Sequence, residues 1–139
     1  MIAYIDSSIV LRLALGQPNV LREWRQIERG VSSALAGTEC LRALDRLRLR
    51  APLSDSDVAA RRSTILSLIA SIDELVSVDE AVLRRAGEPM PTSMGTLDAV
   101  HLATALLWKE SESADLVMAT HDAALALAAR AHGMPVVGV

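Results

Sequence analysis

Asp6, Glu39, Asp98 and Asp122 are the side chains of this 139-residue sequence whose types and placement suit them to chemistry. Asp6 closes the apolar run Ile2-Ala3-Tyr4-Ile5, and Glu39 opens a helix after Val31-Ser32-Ser33. Asp98 lies early in an almost wholly apolar helix, and Asp122 follows the run Leu116-Val117-Met118-Ala119. Carboxylates brought within a few ångströms of one another repel, so such a group is stable only with protons shared or divalent cations bound. Oxygen donors favour Mg²⁺ or Mn²⁺. The reaction that such a centre supports is metal-assisted hydrolysis of a phosphodiester.

The elements that must position these groups follow from the apolar pattern. Residues 1–5 read as a buried strand, and Ser7 or Ser8 caps a helix that ends at Gly16. Pro18 and Asn19 start a second helix that stops at Gly30, before a short strand at 31–33. Helices are expected over 38–50, ended by Pro52, and from Ser54 or Ser56 to Ile72. A strand at 75–78, a brief helix from Asp79 to Gly87 and a Pro- and Gly-containing loop at 88–95 come next. Helix 96–110, strand 116–119, helix 122–132 and strand 136–139 complete the order. Strands that are continuous apolar runs and alternate with helices predict a mainly parallel sheet covered on both faces, with ligands bound beyond the strands' carboxyl ends. Asp6, Glu39 and Asp122 all fall at that edge.

Each residue also has a plainer role. Asp6 suits a helix cap, although Ser7 or Ser8 could cap equally well, and Ser8 could instead support Asp6 or a metal. A first-turn Glu39 complements the helix dipole. Asp98 is more telling, because a carboxylate in the buried run 97–107 costs several kcal/mol, on the order of a lost ion pair, unless it is partnered. His101 follows three residues later, with metal binding, orientation of a carboxylate, phosphate contact or a satisfied core position open to it. Asp122 caps the last helix, or Thr120 does so and leaves Asp122 for metal. His121 and His132 are expected to be exposed.

Composition bounds the rest. The length fits one domain over 1–139, burying roughly two-thirds of its unfolded surface. Without Phe, the core must be aliphatic, with Trp24 and Trp108 as its largest pieces. Cys40 is the only cysteine, which precludes an internal disulfide and is expected to be a small buried side chain in a protein of a reducing compartment. The N-terminus lacks the order of a signal peptide, and no apolar stretch approaches the roughly 20 residues of a membrane helix, so a cytoplasmic location is expected. A formal charge of −3 is not the overall footprint of a nucleic-acid binder. Yet Lys109 is the only lysine among 14 basic residues, and Arg42, Arg46, Arg48 and Arg50 share one helical stretch, with Arg61 and Arg62 on the next. Local basic faces are therefore compatible with that charge, and Arg suits planar recognition of phosphate.

Taken together, Tyr4-Ile5-Asp6-Ser7-Ser8, Glu39, the stretch Gly95 to Ala105, and Ala119-Thr120-His121-Asp122 with the closing 133–139 segment resemble the PIN-domain ribonucleases. Within that family the likeness is to the toxin halves of VapBC-type toxin-antitoxin pairs. It covers the whole chain, and the stretch around Asp98 is its most specific part. The resemblance implies a three-layer α/β/α sandwich and an acidic pocket for Mg²⁺ or Mn²⁺. Asp6 and Asp98 would ligate the metal directly, Glu39 and Asp122 would act through water or a second ion, and Ser8 would be a supporting hydroxyl. It further implies an RNA substrate, a homodimer, and a small VapB-like antitoxin lying over the groove. A phosphoryl-accepting receiver domain would need adjacent N-terminal acids and a late strand-end Lys, and a haloacid-dehalogenase-type phosphatase would need an Asp where Ser8 stands. The remaining alternative is a PIN-fold module that binds RNA or protein without cutting.

Overall fold

The computed structural model describes residues 1–139. In chain order the elements are β1 (Ile2–Ile5), α1 (Ser7–Ala14), a 3₁₀ turn (Arg22–Gln26), β2 (Arg29–Ser33), α2 (Leu35–Arg50), α3 (Asp55–Ala70) and β3 (Glu74–Val76). They are followed by α4 (Glu80–Ala86), α5 (Thr96–Glu112), β4 (Leu116–Ala119), α6 (Ala123–Ala131) and β5 (Val136–Val137). The five strands pair in parallel in the order β3-β2-β1-β4-β5.

Side chains alternate across a strand, and this alternation builds the layers. Ala3 and Ile5 pack with Ile9, Val10, Cys40, Leu44 and Ile65, which belong to α1, α2 and α3. Tyr4 points the other way and joins Leu102, Leu106, Trp108, Leu125 and Ala129 of α5 and α6. The result is the expected α/β/α sandwich with a parallel sheet. Helix α5 is buried on nearly every side from Ala99 to Leu106, as its composition predicted.

Four expectations change. The second helix shrinks to the 3₁₀ turn, because Asn19 turns the chain through a left-handed conformation (φ 58°) and Gly30 is a strand residue paired with Ala3. Gly30 sits where the sheet packs tightly, since a Cβ there would lie 2.8 Å from the Ile5 Cδ1 and that side chain would have to shift. Helix α2 starts earlier than expected, at Leu35, whose N–H is taken by the Ser33 hydroxyl (3.1 Å), so Glu39 is the fifth helical residue and not the opening one. Trp24 is only half-buried, and Tyr4, fully enclosed, takes its place in the core. His121 and His132 are half-buried, with the Nε2 of each enclosed and unpartnered.

Candidate active site at the carboxyl edge of the sheet

The strand order creates the site. From β1 the chain steps outward to β2 and β3, then returns through α5 to β4 on the opposite side of β1, so the connections diverge between β1 and β4. A crevice opens at such a switch point because the flanking loops leave in opposite directions. Asp6 directly follows β1, with its N–H bonded to the carbonyl of Ala119 (3.0 Å), and Thr120 and Asp122 directly follow β4.

Asp6 is the most enclosed carboxylate, 4% exposed. It caps α1, and its Oδ2 accepts from the Ser8 hydroxyl (2.5 Å), the Ser8 N–H (3.3 Å) and the Thr120 hydroxyl (2.9 Å). These donors compensate for the lost hydration of a buried anion. Oδ1 has only the Ser7 hydroxyl at 3.4 Å and so keeps coordinating capacity. Thr120 also accepts the Asp122 N–H (2.9 Å), and Ser8 accepts the His121 N–H (2.9 Å), so two hydroxyls tie the β1 and β4 ends together. Asp122 caps α6 through one oxygen, which accepts the Leu125 N–H (2.9 Å), and its other oxygen is free.

Glu39 approaches from α2 and bonds through Oε2 to the Nε2 of His101. His101 is buried (1% exposed), and its Nδ1 meets the Tyr4 hydroxyl at 2.8 Å. Burial opposes charge on this imidazole, but the Glu39 bond and the Asp6, Glu39 and Asp98 charges outweigh it and raise its pKa. Asp98, in the first turn of α5, has its pKa raised by burial and then by the negative charges of Asp122 and Asp6. No three His, Cys, Asp or Glu side chains stand close enough to form a ready-made metal cage. Thus Asp6, Ser8 and Thr120 share one network, Glu39 joins His101, and Asp98 is coupled to Asp6 and Asp122 through charge.

Sequence reasoning passed over Tyr4, although a lone tyrosine in a buried strand needs a partner for its hydroxyl. It also left the arginines unsorted. Arg42 and Arg46 line a groove of about 270 Å³ with Leu35, Thr38, Glu39 and Leu97. Arg42 is paired with Asp45 (2.9 Å), whereas Arg46 makes no ion pair.

Residues 3–131 match the PIN domain family. The chain belongs to that family. This PIN domain is 38% identical to Ribonuclease VapC46 of Mycobacterium tuberculosis over 138 residues, which is 96% of this chain and 95% of that protein. Its fold is similar to PAE2754 from Pyrobaculum aerophilum (TM-score 0.63, 21% identity, 96% of this chain and 82% of that one). It is also similar to FitAcB from Neisseria gonorrhoeae (TM-score 0.64, 21% identity, 98% and 96%) and to VapBC-1 from nontypeable Haemophilus influenzae (TM-score 0.58, 17% identity, 98% and 96%). No helix is long and apolar enough to cross a membrane.

Proposed function

We propose that this PIN domain is a Mg²⁺- or Mn²⁺-dependent endoribonuclease, the toxin of a VapBC-type pair. The observation that carries the reading is 38% identity to a ribonuclease over nearly the whole chain, supported by Asp6 and Asp122 beyond the ends of the adjacent strands β1 and β4. Further parts of the same reading are a single functional domain over 1–139, a cytoplasmic location, a homodimer, and inhibition by a VapB-like antitoxin.

The donor set fits a hard cation. One oxygen each on Asp6 and Asp122 lacks a strong protein partner, one oxygen of Glu39 is unbonded, and the pKa of Asp98 is raised first by burial and then by the Asp122 and Asp6 charges, which a cation would offset. Asp6 and Asp98 would hold the ion, with Glu39 and Asp122 completing its surroundings. When bound, the cation supplies an activated water and offsets charge on the attacked phosphate. The protein's own residues do the rest. Ser8 and Thr120 hold Asp6 in one orientation. Arg46, free of a counter-ion beside Glu39, supplies positive charge for the RNA backbone.

The test is to incubate purified protein, freed of any co-purifying partner, with total cellular RNA and Mn²⁺, beside EDTA and Asp98→Asn controls. Discrete fragments abolished by both controls are expected. Intact RNA from a folded, metal-binding protein, with a shift in RNA mobility, would instead make this a binding module.

A further inference from the structure

We propose that His101 is a positioning residue for Glu39, with its imidazole locked by the buried Tyr4 hydroxyl so that Nε2 presents a hydrogen to the Glu39 carboxylate. The inference rests on the reading that Glu39 serves the metal centre.

The geometry leaves His101 little else to do. A carboxylate only accepts hydrogen bonds, so the contact to Glu39 Oε2 requires hydrogen on Nε2. Nδ1 is engaged by Tyr4, with the two rings edge-on at 5.9 Å between centroids and 76° between planes. With both nitrogens occupied, neither is available to coordinate metal or to take a proton from water. Two of the roles open to His101 in the sequence, metal ligand and phosphate contact, are therefore closed.

The placement also argues against simple core filling. His101 lies among Val100, Leu102, Ala103 and Ala105 on a helix buried nearly all round, where an aliphatic side chain avoids the cost of sheltering two polar nitrogens. The imidazole instead joins two layers of the sandwich. Tyr4 belongs to the central strand and faces α5, whereas Glu39 is on α2, whose neighbour Cys40 packs on the opposite face of the sheet. His101 thus fixes Glu39 relative to β1, the strand that delivers Asp6, and its Nε2 lies 3.9 Å from Asp6 Oδ1. Groups that orient ligands in this way typically alter metal affinity by about 10–100-fold.

The experiment is calorimetric titration of Mn²⁺ into the full chain, with thermal unfolding recorded for every variant. His101→Leu should bind Mn²⁺ about tenfold more weakly. His101→Gln, whose amide nitrogen can replace the Nε2 hydrogen, should recover most of that loss even where its melting temperature falls as far. A purely structural role would lower melting temperatures without this rescue. Equal Mn²⁺ affinity in wild type and a folded His101→Leu, or failure of Gln to rescue, overturns the proposal alone. If His101→Leu does not fold, Tyr4→Phe decides. A loss of at least about threefold, the scale of one hydrogen bond, supports the proposal, and an unchanged affinity overturns it. A wild-type protein that binds no Mn²⁺ overturns the metal reading and this inference with it.

Discussion

Replacing Thr120 by Val tests whether the hydroxyl network holds the Asp6 end of the site together. Valine keeps the β-branched shape at a position that is 0% exposed, so the perturbation is the loss of one hydroxyl without a change of packing. That hydroxyl donates to Asp6 Oδ2 (2.9 Å) and accepts the Asp122 N–H (2.9 Å). A bond to a charged group contributes about 1.5–3 kcal/mol, and an unsatisfied buried N–H costs about 1–3 kcal/mol. Ser8 partly compensates, since its hydroxyl stays on Asp6 at 2.5 Å, so we expect a net loss of about 3 kcal/mol. At about 2.1 cal/mol/K of unfolding entropy per residue, a chain of 139 residues then melts roughly 10 °C lower. Urea unfolding of wild type, Thr120→Val and Thr120→Ser, each without divalent cations, measures the effect, with the serine variant close to wild type. RNA cleavage by Thr120→Val should fall by about tenfold or more as Asp6 loses its fixed orientation. A Thr120→Val protein within about 0.5 kcal/mol of wild type, the ordinary scatter of neutral substitutions, would refute the network argument.

Three further outcomes follow from the same geometry. The pKa of Asp98 is raised in the folded state, so its contribution favours folding below the unfolded value near pH 4 and is lost as pH rises through the folded value. Asp98→Asn should therefore match wild type at pH 3 and exceed it near pH 7 by about 0.5 kcal/mol at low salt without metal, allowing for solvent screening of a half-exposed group; lower stability of the variant at pH 7 would contradict this. Arg46→Ala should weaken RNA binding and reduce the slope of log affinity against log salt by about 1, leaving the cleavage positions unchanged, and an unaltered slope would remove Arg46 from the RNA path. The Cys40 thiol is pushed up to about 12, by burial and then by the Glu39 and Asp6 charges, so a thiol reagent at pH 8 should leave the native protein unlabelled until it is denatured, and rapid labelling would disprove the burial.

Much of the architecture was legible because it depends on local pattern. The apolar runs at Ile2–Ile5 and Leu116–Ala119 are strands with those bounds, and Asp79, Ser54 and Asp122 cap the helices they precede. Alternating strands and helices were enough to predict the parallel sheet and to put Asp6 and Asp122 at its carboxyl edge. The largest failure has a tertiary cause. Segment 18–30 has helical composition, but sheet pairing at Arg29 and Gly30 and the turn at Asn19 override local propensity.

The sequence by itself determined the identity and order of the acidic residues, the strand ends that carry two of them, and the resemblance that named the family. Those depend on residue type and on short-range periodicity, which a linear chain displays. Only the tertiary structure decided the distant partners that these carboxylates receive. Thr120 reaches Asp6 across 114 positions of sequence, and His101 reaches Glu39 across 62 and Tyr4 across 97. No local pattern encodes such pairings. They arise because the sheet places β1 beside β4, and because burial favours pairing of the polar atoms it encloses at that edge.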